Sequence, residues 1–176
     1  VVPREYTETF SELQDDVPPA EWSEVEGIIQ EDVGGTDRFD SFDTDAINGA
    51  SLGQVHVARF SGRRVAVKVL RPGVRETVET DVRLLRLLLP VFNRFVGENT
   101  ARSAENIVGQ FEDSVMKELD YEREARTLKE VRRNFADDPD VVVPRVYPEL
   151  SGERVVTMEY VESIKIDDSE RLEAAG

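Results

Sequence analysis

Between Phe39 and Leu70 the hydrophobic pattern changes period, and no other stretch restricts the fold as much. Three short runs, Phe42 to Ile47, Leu52 to Phe60 and Arg64 to Leu70, are rich in Val and Ile and are separated by Asn48-Gly49 and Ser61-Gly62. β-Branched residues in short alternating runs suit a pleated surface, and small turn residues between them join antiparallel neighbours. The Ser61-Gly62 step predicts a tight hairpin, because glycine enters the left-handed region without a Cβ clash. A three-stranded meander of this kind needs helices to cover it, and its flanks supply them.

Upstream, Tyr6, Phe10 and Leu13 predict a helix over 4–13 that ends at Asp15-Asp16-Val17-Pro18-Pro19. Trp22, Val25, Ile28 and Ile29 form one apolar stripe on a second helix, closed by Gly34-Gly35. Downstream, Arg71-Pro72-Gly73 stops the third strand, and 74–95 carries Val78, Val82, Leu85 and Leu88 at helical spacing, bent or ended near Pro90. The pattern predicts one long helix from Ser103 to Phe135. Glu105 in its first turn and Lys129, Arg132 and Arg133 in its last turns complement the helix dipole. Val141 to Tyr147 and Arg154 to Met158 complete the set as strands joined by Ser151-Gly152. The expectation is an α+β domain with an antiparallel sheet of about five strands, a helical extension before it, and one long helix after the third strand.

The absence of Cys excludes disulfides and thiolate metal sites, and a single histidine, His56, cannot build a multi-histidine centre. Any metal has to ride on carboxylates or on a nucleotide. With 37 acidic residues against 22 basic ones, the net charge of −15 repels nucleic acid and anionic surfaces, so no nucleic-acid partner is expected. Arginine has nearly displaced lysine, which together with the acidic excess resembles proteins of salt-loving archaea. No apolar run approaches the roughly 20 residues needed to cross a bilayer, so the segment is expected to be soluble and cytoplasmic. The first residue is Val1, and the last stretch, Arg171 to Gly176, reads as the start of another helix, so both ends are expected to be cut.

Val65-Ala66-Val67-Lys68 places a lysine inside the third strand, on the same face as Ala66. An ammonium there needs a carboxylate or a phosphate, because burying it unpaired is costly. A strand lysine followed upstream by a small-residue turn, here Asn48-Gly49-Ala50-Ser51-Leu52-Gly53-Gln54, is the pattern by which backbone amides and a lysine hold nucleotide phosphates. Met158-Glu159-Tyr160-Val161 reads as a hinge, with the Glu159 carbonyl and the Val161 amide facing an adenine edge. His56 points from a strand and is expected to be structural.

Ala50-Ser51-Leu52-Gly53-Gln54-Val55-His56, followed by Val65 to Val74 with its Lys68 and Arg71-Pro72-Gly73, closely resembles the ABC1/UbiB (AarF) family of atypical kinase-like proteins. The resemblance spans nearly the whole chain. Leu13 to Pro19 is similar to the segment after that family's Lys-x-Gly-Gln motif, and Glu118-Leu119-Asp120-Tyr121, with Glu124-Ala125 after it, is similar to its Glu-x-Asp motif. Asn48-Gly49-Ala50-Ser51 departs from the family's alanine-rich stretch, and Thr127 stands where relatives often have Asn.

The resemblance implies a kinase-like amino-terminal lobe over 37–166, preceded by a helical extension (1–36) and followed by the start of a carboxyl-terminal lobe (167–176). It implies ATP or ADP with Mg²⁺ as the cofactor, held by Gly49, Ala50, Ser51, Gly53, Gln54, Ala66, Lys68, Met158, Glu159 and Val161. Glu112 falls where the lysine's partner is expected, with Glu118 next in line, while Glu118 and Asp120 would contact the Lys-x-Gly-Gln segment or magnesium. The resemblance also implies support of isoprenoid quinone biosynthesis, with membrane or lipid association carried by segments outside this chain. No His-Arg-Asp-like loop or Asp-Phe-Gly segment occurs, so the chain is expected to bind nucleotide weakly without turning it over. Two other readings are compatible with these residues: a non-catalytic nucleotide-binding regulator, and a structural α+β domain in which Lys68 is incidental.

Overall fold

The computed structural model describes residues 18–49 and 52–162. The expected helix over 4–13, the loop positions Ala50 and Ser51, and the proposed start of a second lobe lie outside the described residues. Helix α1 (Trp22–Val33) turns Val25, Ile28, Ile29 and Val33 inward, as its stripe predicts. Gly34, at φ 85°, then ends it, its N–H returning to the Gln30 carbonyl and that of Gly35 to the Ile29 carbonyl.

Strands β1 (Ser41–Gly49), β2 (Gly53–Phe60), β3 (Arg63–Leu70) and β4 (Val155–Glu159) form one antiparallel sheet in that order. Between β2 and β3, Ser61 and Gly62 both take positive φ (51° and 75°), the geometry whose twist matches a two-residue hairpin. The register sets the two faces of the sheet. His56 pairs with Val67 and Gln54 with Val69, while Val55 pairs with Lys68. Val65, Val67 and Val69 thus pack with Val155 against α1, each fully buried Val or Ile contributing roughly 1.5–3 kcal/mol. Val55, Ala66, Lys68 and, from β4, Val156 and Met158 occupy the opposite face.

The α+β class holds, with four strands in place of about five. Val141 to Tyr147 runs along β4 but forms one bridge, Val146 to Met158. Pro144 has no N–H to give, and Val142 before it is 73 % exposed, so pairing does not spread upstream.

Helices α2 (Val74–Asn93) and α3 (Glu98–Glu118) make an antiparallel hairpin, and α4 (Tyr121–Asn134) follows. Pro90 lies within the last turns of α2, where little helix remains to be broken. The single helix expected over 103–135 is two helices, because Asp120 interrupts it. Its carboxylate accepts the Arg123 N–H at 2.8 Å and caps α4, a bond that competes with continuing α3. Tyr121, Ala125 and Leu128 then form the stripe by which α4 packs on Leu70 and Val156.

Candidate functional site

The break at Asp120 decides which carboxylate reaches Lys68. Glu124 holds the Lys68 ammonium with both oxygens, Nζ lying 2.7 Å from Oε2 and 3.0 Å from Oε1. Both side chains are about two-thirds covered, so neither charge is left alone in an apolar setting. The Tyr121 ring, one turn earlier on α4, lies 4.6 Å from the ammonium, measured to its centroid. Burial, and secondarily the charge of Glu124, pushes the Tyr121 hydroxyl upward in pKa and keeps it protonated.

Glu112 is not the partner of Lys68. On α3 it pairs across the helical hairpin with Arg86, whose Nε is 3.0 Å from Oε2. Glu118, at the end of α3, borders the same cavity as Lys68, Tyr121 and Glu124. Asp120 is an N-cap whose second oxygen stands 3.8 Å from Arg126, so its first task is structural.

Two cavities meet along this face. One, of about 250 Å³, has Lys68, Glu118 and Glu124 at one end and Gly53 and Val55 as its floor. The other, of about 430 Å³, lies beside Ala66, Met158, Glu159 and Val161, and Asn48 borders both. A compartment with three charged side chains therefore adjoins one bordered by Ile47, Ala66, Pro144, Met158 and Val161, which ends at the expected hinge. The Glu159 side chain points away, toward the Arg145 N–H at 3.3 Å and Arg132 at 3.9 Å, leaving the backbone as its contribution to the cavity wall. The larger cavity of about 790 Å³, between the end of α4 and Val141 to Val146, holds none of the groups around Lys68.

The loop residues divide. Gly49 ends β1 opposite Gln54, next to Asn48, which borders both cavities. Gln54 itself belongs to the other face and does not enter the cleft. Its Oε1 accepts the Ala20 N–H at 2.8 Å, and its amide nitrogen donates to His56 Nε2 at 2.8 Å, which leaves His56 Nδ1–H to donate to the Asp43 carbonyl at 3.0 Å. The alternation of β2 requires this, since Gln54 sits one residue from Gly53 and Val55. His56, fully buried beside Trp22 and Phe42, is a structural group as expected, and burial lowers its pKa against the opposing pull of Asp43 and Asp45. Among the described residues no group of three or more acidic or histidine side chains is arranged to hold a metal, and no helix is long and apolar enough to cross a membrane.

Glu124 and Tyr121 were not among the candidates from sequence, yet the signal was present. Once Asp120 is taken as a helix start, Tyr121, Glu124, Ala125 and Leu128 fall at i, i+3, i+4 and i+7, and Glu124 is the one carboxylate on the buried stripe.

Residues 12–176 match the ABC1 atypical kinase-like domain. The chain is 37 % identical over its whole length to Protein ACTIVITY OF BC1 COMPLEX KINASE 8, chloroplastic, of Arabidopsis thaliana, and covers 24 % of that protein. It is 32 % identical over its whole length to the Probable protein kinase UbiB of Marinobacter nauticus, covering 33 % of it. Among solved structures, Rv3197 of Mycobacterium tuberculosis, determined as a complex with erythromycin, superposes with a TM-score of 0.69 at 27 % identity, over 96 % of this chain and 42 % of that one. The chain thus spans about a quarter to a third of these curated relatives. By the extent of that match, the chain belongs to the ABC1 family of atypical kinase-like proteins.

Proposed function

We propose that this chain is the ATP- or ADP-binding lobe of a kinase-like phosphotransferase or ATPase that supports isoprenoid quinone biosynthesis. The observation that carries the reading is the Lys68–Glu124 ion pair facing the cleft, with the second cavity beside it. A lysine fixed this way can neutralise phosphate oxygens, while Ala66 and Met158 offer flat apolar surface to a base, with the backbone at Glu159 and Val161 along its edge. Magnesium entering with the nucleotide would supply charge neutralisation. Glu118 is the cavity carboxylate left to approach it, because Glu124 is occupied by Lys68. The names of the UbiB relatives support the quinone assignment.

Calorimetric titration with ATP and ADP, with magnesium and at high salt, tests the reading. Lys68→Met is expected to weaken binding at least tenfold while the protein remains folded. Equal binding by wild type and Lys68→Met would refute it. Binding by the full-length protein without ATP turnover would place it among nucleotide-binding regulators.

A further inference from the structure

Gly53 has no side chain, and the reasons lie in α4 and in the neighbouring strand β3. A Cβ built there would collide with the Tyr121 hydroxyl and come within 2.9 Å of the Val69 carbonyl oxygen. Gly53 lies on the face of β2 that carries Val55, opposite Lys68 in β3, so the Tyr121 ring enters over Gly53 and reaches the ammonium from below. Tyr121 is 1 % exposed, and its ring lines the charged cavity. Its N–H is tied to the Glu153 carbonyl at 3.3 Å, which fixes the first residue of α4 against the chain entering β4.

We propose that Tyr121 is a positioning residue for Lys68: its ring face, seated on Gly53, and the Glu124 carboxylate together aim the ammonium at the phosphate end of the cleft. This rests on the nucleotide reading above. A lysine side chain has many rotamers, and a carboxylate alone leaves it free to pivot. An aromatic face on a second side attracts the cation and narrows that choice. Gly53 acts here as the seat of Tyr121, rather than as a position kept small for phosphates.

Tyr121→Phe retains the ring face, whereas Tyr121→Leu removes it and leaves an apolar side chain. Binding of AMP, ADP and ATP is measured by calorimetry on the full-length protein. Tyr121→Leu is expected to weaken ATP and ADP by about three- to tenfold while leaving AMP unchanged, and Tyr121→Phe to behave as wild type. Equal weakening for all three nucleotides, or the same loss in Tyr121→Phe, overturns the proposal.

A second readout needs no nucleotide. Reductive methylation keeps the lysine charge, and only Lys68, Lys117, Lys129 and Lys165 need resolving among the lysines of this chain. The methyl signal of Lys68 is expected upfield through the ring current of Tyr121, in wild type and Tyr121→Phe but not in Tyr121→Leu. Gly53→Ala is expected to displace that signal, and Tyr121→Phe in the same chain to restore it in part by removing the colliding hydroxyl. An unshifted Lys68 signal in wild type overturns the placement. The expected signals in a protein that binds no nucleotide would uphold the placement and remove the nucleotide reading.

Discussion

Lys68 and Glu124 are 56 residues apart in sequence, and the bidentate contact between them joins β3 to α4 across the cleft. On the proposed nucleotide-binding function, a lysine held by a helix carboxylate has to be in place for phosphoryl transfer, and the pair is then expected to matter more to rate than to stability. Both groups are about a third exposed, and the pair contributes about 1 kcal/mol or less to folding. Glu124→Ala is therefore expected to lower ATP turnover of the full-length protein by tenfold or more with little loss of stability. Glu112→Ala, which loses an exposed pair with Arg86, is expected to change turnover less than twofold. Steady-state kinetics beside a melting curve distinguishes the two positions.

Asp120 is predicted to act through its cap. Asp120→Ala should cost about 1 kcal/mol, because the Arg123 N–H loses its acceptor, and Asp120→Asn should recover most of it, since Asn caps as well as Asp. Urea midpoints measure this. If the negative charge were what counted, Asn would be as damaging as Ala.

The sheet was legible because its evidence is local: Val65, Val67 and Val69 alternate with Ala66 and Lys68, and Ser61-Gly62 suits one kind of turn. The α1 stripe and its Gly34 stop were legible for the same reason. The partner of Lys68 was not. An unbroken reading of 103–135 puts Glu112, Glu118 and Glu124 on three different faces of one cylinder, so that only one can face Lys68, and a single capping side chain, Asp120, changes which one does by starting a new helix. Gln54 was misplaced by adjacency in sequence to the cleft loop, although the period of two that assigned Lys68 its face sends Gln54 to the other. The fifth strand failed at Pro144, where a Val-rich run meets a residue without a donor.

Asp32 of α1 is predicted to be the anchor of the helical extension. Its Oδ1 takes Arg154 Nε at 3.0 Å and Nη2 at 2.8 Å, its Oδ2 takes the Arg154 N–H, and its side chain is 8 % exposed. Arg154→Leu should cost about 1–3 kcal/mol by leaving that carboxylate short of donors, whereas Glu31→Ala, at a 69 % exposed partner, should change stability by less than about 0.5 kcal/mol. A Cβ at Gly152 would stand 2.8 Å from Asp32 Oδ2, so Gly152→Ala strains the same contact. Because both substitutions act through Asp32, their effects should sum to less than the separate losses in a double-mutant cycle of denaturation free energies.

His56 should give the fold an acid limit. Burial holds its folded pKa below the ordinary 6.5, and the opposing influences of Asp43 and Asp45 do not overcome it. The unfolded chain therefore binds a proton at a pH where the folded one resists it, so stability rises with pH in that interval. The His56 contribution is fully present above about 6.5 and is lost progressively as pH falls from there through the lowered folded pKa. Protonation also removes the acceptor at Nε2, which leaves the Gln54 amide without its bond and disturbs the contact Gln54 makes with the Ala20 N–H. Urea midpoints between pH 8 and pH 5 should fall steadily in wild type once 6.5 is passed. His56→Leu should be less stable at pH 8, because the Gln54 amide and the Asp43 carbonyl lose a partner, and its midpoint should be flatter across the same interval. A wild-type slope that survives in His56→Leu would assign the acid limit to carboxylates instead.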